Sequence, residues 1–334
     1  MIEILSRTAL ASVQDLGRLD AFRWGVGLSG AMDPLALACG NILVGNEDGA
    51  AGVEMQVFPF ALRFTADTLF ALTGADCAAK LNDAPLLPWS RCTAKAGDVV
   101  TLGYPQAGRW RGARAYLCVA GGIDVPEVLG SRSTQLRGTI GGHEGRMLRE
   151  GDQLPVGVKP GSEGRALATV VELGLVPPGL ALPLDIDGCP AVRVLPAAEY
   201  ERFTSSSLEA FWREPFRITP QSDRYGFRLA GPNLDPIAPM ELRSHGIVPG
   251  VIQVPHSGQP IVQMCEGQPS GGYPKIGTVI EADLWRLGQM PIGTHFRFLR
   301  TDWDGALEAL DERQRWLTET RRIVGLATSW SAGR

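Results

Sequence analysis

The apolar positions of this chain come in short runs broken by Gly, Pro and Asp, the pattern of many strands joined by tight turns. Ile2–Leu5 reads as a first strand and Ser12–Arg18 as a loop. Phe58–Phe64, Thr68–Leu72, Val99–Leu102 and Ala115–Val119 follow at strand length. Ala96-Gly97-Asp98 and Glu150-Gly151-Asp152 repeat one device, a turn just before a strand in which Gly takes a positive φ and Asp closes the turn. Such repetition predicts a barrel or sandwich. An early exception is a helix with Asp33 as N-cap, Pro34 at its first position and a stripe of Leu35, Ala38, Ile42 and Leu43.

Residues 155–191 carry Pro155, Pro160, Pro177, Pro178, Pro183 and Pro190 without strong periodicity, which predicts a connector. The strand pattern restarts at Ala191–Leu195. Glu199–Phe203 and Ser207–Trp212 look helical, and Arg217–Leu229 reads as a hairpin around Asp223-Arg224. Val251–Val254 and Pro260–Met264 are split by the turn His256-Ser257-Gly258. Then come a glycine loop at Glu266–Pro274, a β-branched strand at Ile276–Ile280 and helical turns at Glu281–Leu287. After Asp302, Leu307, Leu310, Leu317 and Val324 mark an amphipathic helix with early acids and late Arg321-Arg322, expected to stop at Gly325.

Composition removes several classes of function. A net charge of −4 gives no electrostatic case for nucleic acid or an anionic membrane surface, and no run approaches the length of a membrane span. Glu3 precedes any basic residue, so the N-terminus does not read as a signal peptide, and a cytoplasmic location is expected. The six cysteines are scattered without CxxC and the four histidines form no HxH or HxxxH pair, so no metal site is expected. A 334-residue chain is long enough for two domains.

Three glycine-rich stretches carry the candidate chemistry. Gly25–Gly30 matches GxGxxG literally, but no buried strand precedes it and no βαβ unit follows; the loop could hold an anion at the helix start, where Asp33 competes for the same N–H groups. Ser131, Arg132, Ser133, Thr134, Gly141, Gly142 and Arg146 put hydroxyls, guanidiniums and backbone amides in one segment, suited to phosphate or carboxylate or else to an ordered surface loop. Asp15 and Arg18 flank a glycine and could simply brace a turn. Lys275 closes the third stretch beside Gly271, Gly272 and Tyr273. It is one of four lysines against 28 arginines, and an ammonium beside close-approaching backbone amides is an anion or carbonyl site, or a solvated lysine on a tight turn.

With these segments in place, the chain resembles the carboxyltransferase A/B-subdomain family, which includes the C-type component of 5-oxoprolinase, allophanate hydrolase subunit 2-like proteins and the antagonist of the KipI kinase inhibitor. The matching pieces run in order: QDLGR (14–18), GLSGAMDPLAL (27–37), NILVGN (41–46) with Glu54, AGGIDVPEVLGSRST (120–134), GGHEGRMLREGDQL (141–154), GVIQVPHSGQPIVQM (250–264) and SGGYPKIGTVIEADL (270–284). The resemblance implies a mainly β fold with short helices, made of two cyclophilin-like β-barrel subdomains plus a C-terminal helix. The expected spans are 1–160, a connector at 161–190, 191–300, and a helix and tail at 301–334.

It also implies the C-type component of an ATP-dependent 5-oxoprolinase, inactive alone, that works in a hetero-oligomer with B-type and A-type 5-oxoprolinase partners on a small-molecule substrate. The B-type partner is expected on a separate chain. Lys275, Arg132 and Asp15 are the catalytic candidates, with Asp15 a possible ligand of Mg²⁺. Arg18, Ser131, Thr134, Gly141, Gly142, Arg146, Gln253, Gln259, Gly271, Gly272 and Tyr273 are the candidates for binding substrate or ATP. No G-x-S-x-G elbow, Cys/His pairing or GxxxxGK[ST] loop is apparent. Two alternatives stay open. One is a component of a biotin-dependent carboxyltransferase, with biotin only if supplied by another chain since no lysine lies in a Met-Lys-Met setting. The other is a regulatory protein that binds a KipI-like inhibitor.

Overall fold

The computed structural model describes residues 1–7, 10–106, 112–158 and 172–332. They fall into two compact units. The first gathers the described parts of Met1–Arg18, Ser29–Ala181 and Arg315–Arg334; the second gathers Leu19–Leu28 and Leu182–Gln314.

In the first unit, twelve strands form two six-stranded antiparallel sheets. One runs Gln153–Leu154, Ile2–Ile4, Phe60–Phe64, Val99–Leu102, Lys80–Leu81, Ala84–Pro85. The other runs Leu173–Gly174, Ser90–Ala94, Thr68–Gly74, Ala115–Val119, Gly52–Met55, Ala11–Gln14. Ile4, Leu62, Phe64 and Val100 of one sheet and Val53, Met55, Phe70 and Leu117 of the other share one core. The back of the second sheet is covered as well: Leu37 and Cys39 of the Pro34–Val44 helix cluster with Ala71, Tyr116 and Cys118. Burial on both faces explains why Ala115–Val119 is buried at every position instead of alternating. It also explains Ala11–Gln14, a strand where the sequence suggested the start of a loop. Ser12 and Gln14 are polar but buried, so the period of two is hidden.

The second unit contains a closed barrel of seven strands, in the order Cys189–Pro196, Lys275–Val279, Val251–Gln253, Ile261–Gln263, Gly226–Ala230, Phe216–Ile218, His295–Arg300 and back to Cys189–Pro196. The closing pair is parallel, Val192 opposite Phe298, and the rest are antiparallel. Phe227, Ile252 and Val262 share one face of neighbouring strands and are buried inside the ring, as are Phe216, Phe296 and Phe298. Phe211, from the Ser205–Arg213 helix, stacks on Phe298 with ring centroids 4.7 Å apart.

The C-terminal helix, Trp303–Ala332, runs straight through Gly325. Its early turns set Ala309 against Ile280 and Ala282; its later turns set Leu317 and Val324 into the cluster of the Pro34–Val44 helix. Packing and 30 residues of length override one glycine, whose penalty in a helix is about 1 kcal/mol. Gly325 is therefore not a stop.

The units differ from the expected spans in two places. Leu19–Leu28 belongs with the barrel, and the C-terminal helix divides between units at Gln314 and Arg315. Part of the 161–190 connector lies outside the described residues. Its described part includes the strand Leu173–Gly174, the short helix Pro178–Ala181 and the strand Asp185–Ile186. No helix among the described residues is long and apolar enough to cross a membrane.

Candidate functional site

The barrel unit gathers one group of candidate residues on the outer face of its wall. Gln253 and Lys275 are register partners on adjacent strands. Above them His245–Gly246 pairs with Ser270–Gly271, with His245 opposite Gly271. The Lys275 ammonium lies 3.0 Å from Glu199 Oε2, and the backbone N–H of Lys275 donates to the same oxygen at 3.1 Å. The ammonium also hydrogen-bonds His245 Nε2. His245 Nδ1 is 2.9 Å from the Arg243 carbonyl, so Nδ1–H donates there and Nε2 accepts from the lysine. Lys275 is thus held between a carboxylate and a neutral imidazole, with both ion-pair side chains largely buried. A fixed, partly desolvated ammonium can stabilise a developing oxyanion.

The glycines over this group are dictated by proximity. A Cβ on Gly271 would stand 2.4 Å from Gln253 Nε2, and one on Gly272 2.9 Å from the Leu242 carbonyl. Tyr273 is exposed, with its ring edge-on to His256 at 6.4 Å between centroids. Gln259 is used elsewhere: its amide bridges Asn233 Oδ1 at 2.6 Å and both backbone groups of Gly231. Glu199 and His245 escaped the sequence reading. They lie 76 and 30 residues from Lys275, so no local spacing announces them.

The first unit collects the other candidates, mostly hydrogen-bonded among themselves. Asp15 is the centre: its carboxylate accepts from Gly17 N–H at 2.7 Å, Ser131 Oγ at 2.7 Å, Arg132 N–H at 2.5 Å and the Ser133 hydroxyl. Three of these donors fall on Oδ1 and one, the Arg132 N–H, on Oδ2. Among the described residues no group of three or more His, Cys, Asp or Glu could hold a metal ion.

Arg18 is almost fully buried. It donates to the Val128 carbonyl at 3.0 Å and to that of Ser133. The Thr134 hydroxyl and N–H both bond the Val13 carbonyl. Gly142 N–H donates to the Arg132 carbonyl, and the Gly141 carbonyl accepts from Gly145.

The Arg132 side chain pairs with Glu127 and Asp124. Arg146 makes a two-pronged bond to Asp152 at 2.7 and 2.9 Å and also holds Glu144. Burial alone would raise the Asp152 pKa, but Arg146, the Arg149 N–H and His143 outweigh it and hold the carboxyl below its usual range. Both guanidiniums already face carboxylates, which leaves them poorly disposed toward phosphate. At the GxGxxG loop the anion alternative is closed by Asp33, which caps its own helix by accepting from Ala36 N–H at 2.9 Å. Beneath it Glu54 accepts from the Tyr116 hydroxyl at 2.7 Å and Met32 N–H at 2.8 Å.

The comparisons with known proteins agree with this architecture. Residues 24–300 match the model of the carboxyltransferase domain, subdomain A and B. The chain is 41% identical to the C subunit of 5-oxoprolinase from Escherichia coli, covering 96% of this chain and 97% of that one. It is 38% identical to the protein of the same name from Haemophilus influenzae, over 97% and 99% of the two chains. The crystal structure of the Kluyveromyces lactis urea carboxylase superposes with a TM-score of 0.83 at 28% identity, covering 96% of this chain but only 29% of that larger protein. The chain belongs to the carboxyltransferase domain, subdomain A and B, family.

Proposed function

We propose that this chain is the C subunit of a 5-oxoprolinase, which acts with B-type and A-type partners to open the lactam of 5-oxoproline to glutamate at the expense of ATP. The near end-to-end match to two proteins of that name supports the assignment. The observation that carries the chemistry is the Lys275 ammonium, fixed by Glu199 and His245 beside the strand pair that sets His245 opposite Gly271.

A lactam is a poor electrophile, and ATP supplies the activation of its oxygen. With its oxygen phosphorylated and ADP released, the carbon takes up water, the C–N bond breaks and phosphate leaves, and Lys275 stabilises the negative charge on the phosphoryl oxygens. Glu199 and His245 hold the ammonium in place, and the proton that the departing nitrogen takes up comes from the water that adds to the carbon. Mg²⁺ enters with the nucleotide. ATP as co-substrate implies a cytoplasmic reaction.

The test is ATP-dependent hydrolysis of 5-oxoproline by the chain alone and with its B-type and A-type partners. Turnover only in the full set is expected, and turnover by the single chain at the rate of the set contradicts the assignment. The likeness to urea carboxylase favours one other reading, in which the same ammonium holds the carboxylate carried by a biotin on another chain. Turnover that avidin abolishes distinguishes it.

A further inference from the structure

The glycine-rich loop, residues 266–274, is fixed at its crown and at its root. At the crown, Ser270–Gly271 pairs with His245–Gly246, and the Ile247 N–H donates to the Pro269 carbonyl at 3.0 Å. At the root the loop meets the turn that joins the strands Phe216–Ile218 and Gly226–Ala230. There Arg224 Nε donates to Glu266 Oε1 at 2.6 Å, and the Glu266 N–H donates back to the Arg224 carbonyl at 2.9 Å. The Met264 N–H donates to the Tyr225 carbonyl at 3.1 Å, and the Tyr225 hydroxyl to Gln268 Oε1 at 3.1 Å. Asp223 Oδ1 accepts from the N–H groups of Tyr225 and Gly226, which stiffens the turn itself.

The Arg224 and Glu266 side chains are only 4% and 5% exposed. Stability does not account for them, since a well-packed apolar pair in place of a buried ion pair is often as stable or more so. Charge-assisted bonds supply direction instead: a guanidinium and a carboxylate accept few relative placements. The loop needs such a constraint, because Gly267, Gly271 and Gly272 leave its backbone many conformations to choose from.

We infer that Arg224 and Glu266 are positioning residues: their ion pair sets the root of the loop, and the loop sets His245 against Lys275. Gly271 stands opposite His245, so a loop that shifts carries the imidazole off the ammonium and leaves Lys275 with Glu199 alone. A misplacement of about 1 Å, caused by a change far from the chemistry, can lower a rate on the order of 10²-fold. The consequence for turnover rests on the function proposed above, whereas the coupling of the ion pair to His245 does not.

The experiment replaces both ions in the full chain, Arg224→Met together with Glu266→Leu. Melting temperature is measured, as is 5-oxoproline turnover by the complex with B-type and A-type partners. Heteronuclear NMR reads the His245 imidazole nitrogens, whose signals are assigned by their loss in His245→Gln. Wild type is expected to show the single Nδ1–H form that the Arg243 carbonyl selects. The double variant is expected to melt at or above wild type, to lower kcat at least tenfold and to show both tautomers of His245. Arg224→Lys keeps the charge without the planar fork and should fall between the two.

A folded double variant with the wild-type imidazole spectrum overturns the inference, whatever its turnover. One that melts well below wild type overturns it as well, because the ion pair then holds up the barrel. An altered spectrum, in a protein whose wild-type complex hydrolyses no 5-oxoproline, keeps the inference and removes the 5-oxoprolinase reading.

Discussion

Glu199 meets Lys275 twice, its Oε2 lying 3.0 Å from the ammonium and 3.1 Å from the backbone nitrogen of the same residue. One oxygen therefore fixes both the start of the Lys275–Val279 strand and the direction in which its first side chain points. Lys275→Ala leaves Glu199 largely buried with only the backbone donor, and we expect a stability loss of about 2 kcal/mol. Turnover of the reconstituted complex should fall at least tenfold. Adding Glu199→Gln should recover most of the stability and none of the turnover. Normal turnover in the alanine variant would reduce the pair to a turn brace.

Asp15 makes the opposite case, a carboxylate engaged by four donors within its own unit. Asp15→Asn sets an NH₂ group against donors from residues 131–133, and should cost about 2–4 kcal/mol by urea denaturation. The Mg²⁺ concentration that half-saturates turnover should not move in the folded variant. A shift of tenfold or more would return Asp15 to the metal.

Gly325 sits inside the C-terminal helix, and a Cβ there would meet nothing within 4 Å. Gly325→Ala should therefore stabilise, by about 0.5–1 kcal/mol, through the entropy of the unfolded chain and helix propensity. A lower melting temperature would mean that the helix is not continuous at this position in solution.

What the sequence made legible follows from which signals are local. The Asp33 cap, the hairpin around Asp223-Arg224 and the strands Val99–Leu102 and Ala115–Val119 are each written within a few residues. Ala11–Gln14 was hidden because a strand covered on both faces can bury Ser12 and Gln14 without alternating. Within the candidate site, Lys275, Gln253 and Gly271 could be picked out by rarity and by motif. Glu199 and His245 could not, since closure of the barrel and the pairing of His245 with Gly271 bring them in from distant segments. Arg132 and Arg146 looked available for phosphate only because Glu127 and Asp152, their actual partners, read as ordinary loop acids.

The buried carboxylate Asp283 gives the barrel unit a defined pH dependence. Its Oδ2 accepts from Arg193 N–H at 2.8 Å and Arg193 Nε at 2.9 Å. Its Oδ1 accepts from Arg193 Nη2 at 2.7 Å and Arg286 Nε at 3.0 Å. Burial by itself would raise its pKa, but the bonds and charges of Arg193 and Arg286 together outweigh it and hold the carboxyl below its ordinary value. A carboxyl depressed in the folded state contributes stability that is fully present above the unfolded pKa, about 3.9, and that disappears as pH falls through the folded value. At pH 7, Asp283→Asn should cost about 3 kcal/mol, since it leaves Arg193 and Arg286 facing a neutral amide in a buried position. As pH falls below about 4 the wild type should begin to lose this contribution while the variant cannot, so the gap between them should narrow as acid is added. Denaturant titrations of both proteins at pH 7, 5 and 3 measure that gap directly, and because every other titrating group is common to the two, their difference isolates Asp283. A gap that stays constant down to pH 3 would mean that the Arg193 pairing does not depress this carboxyl.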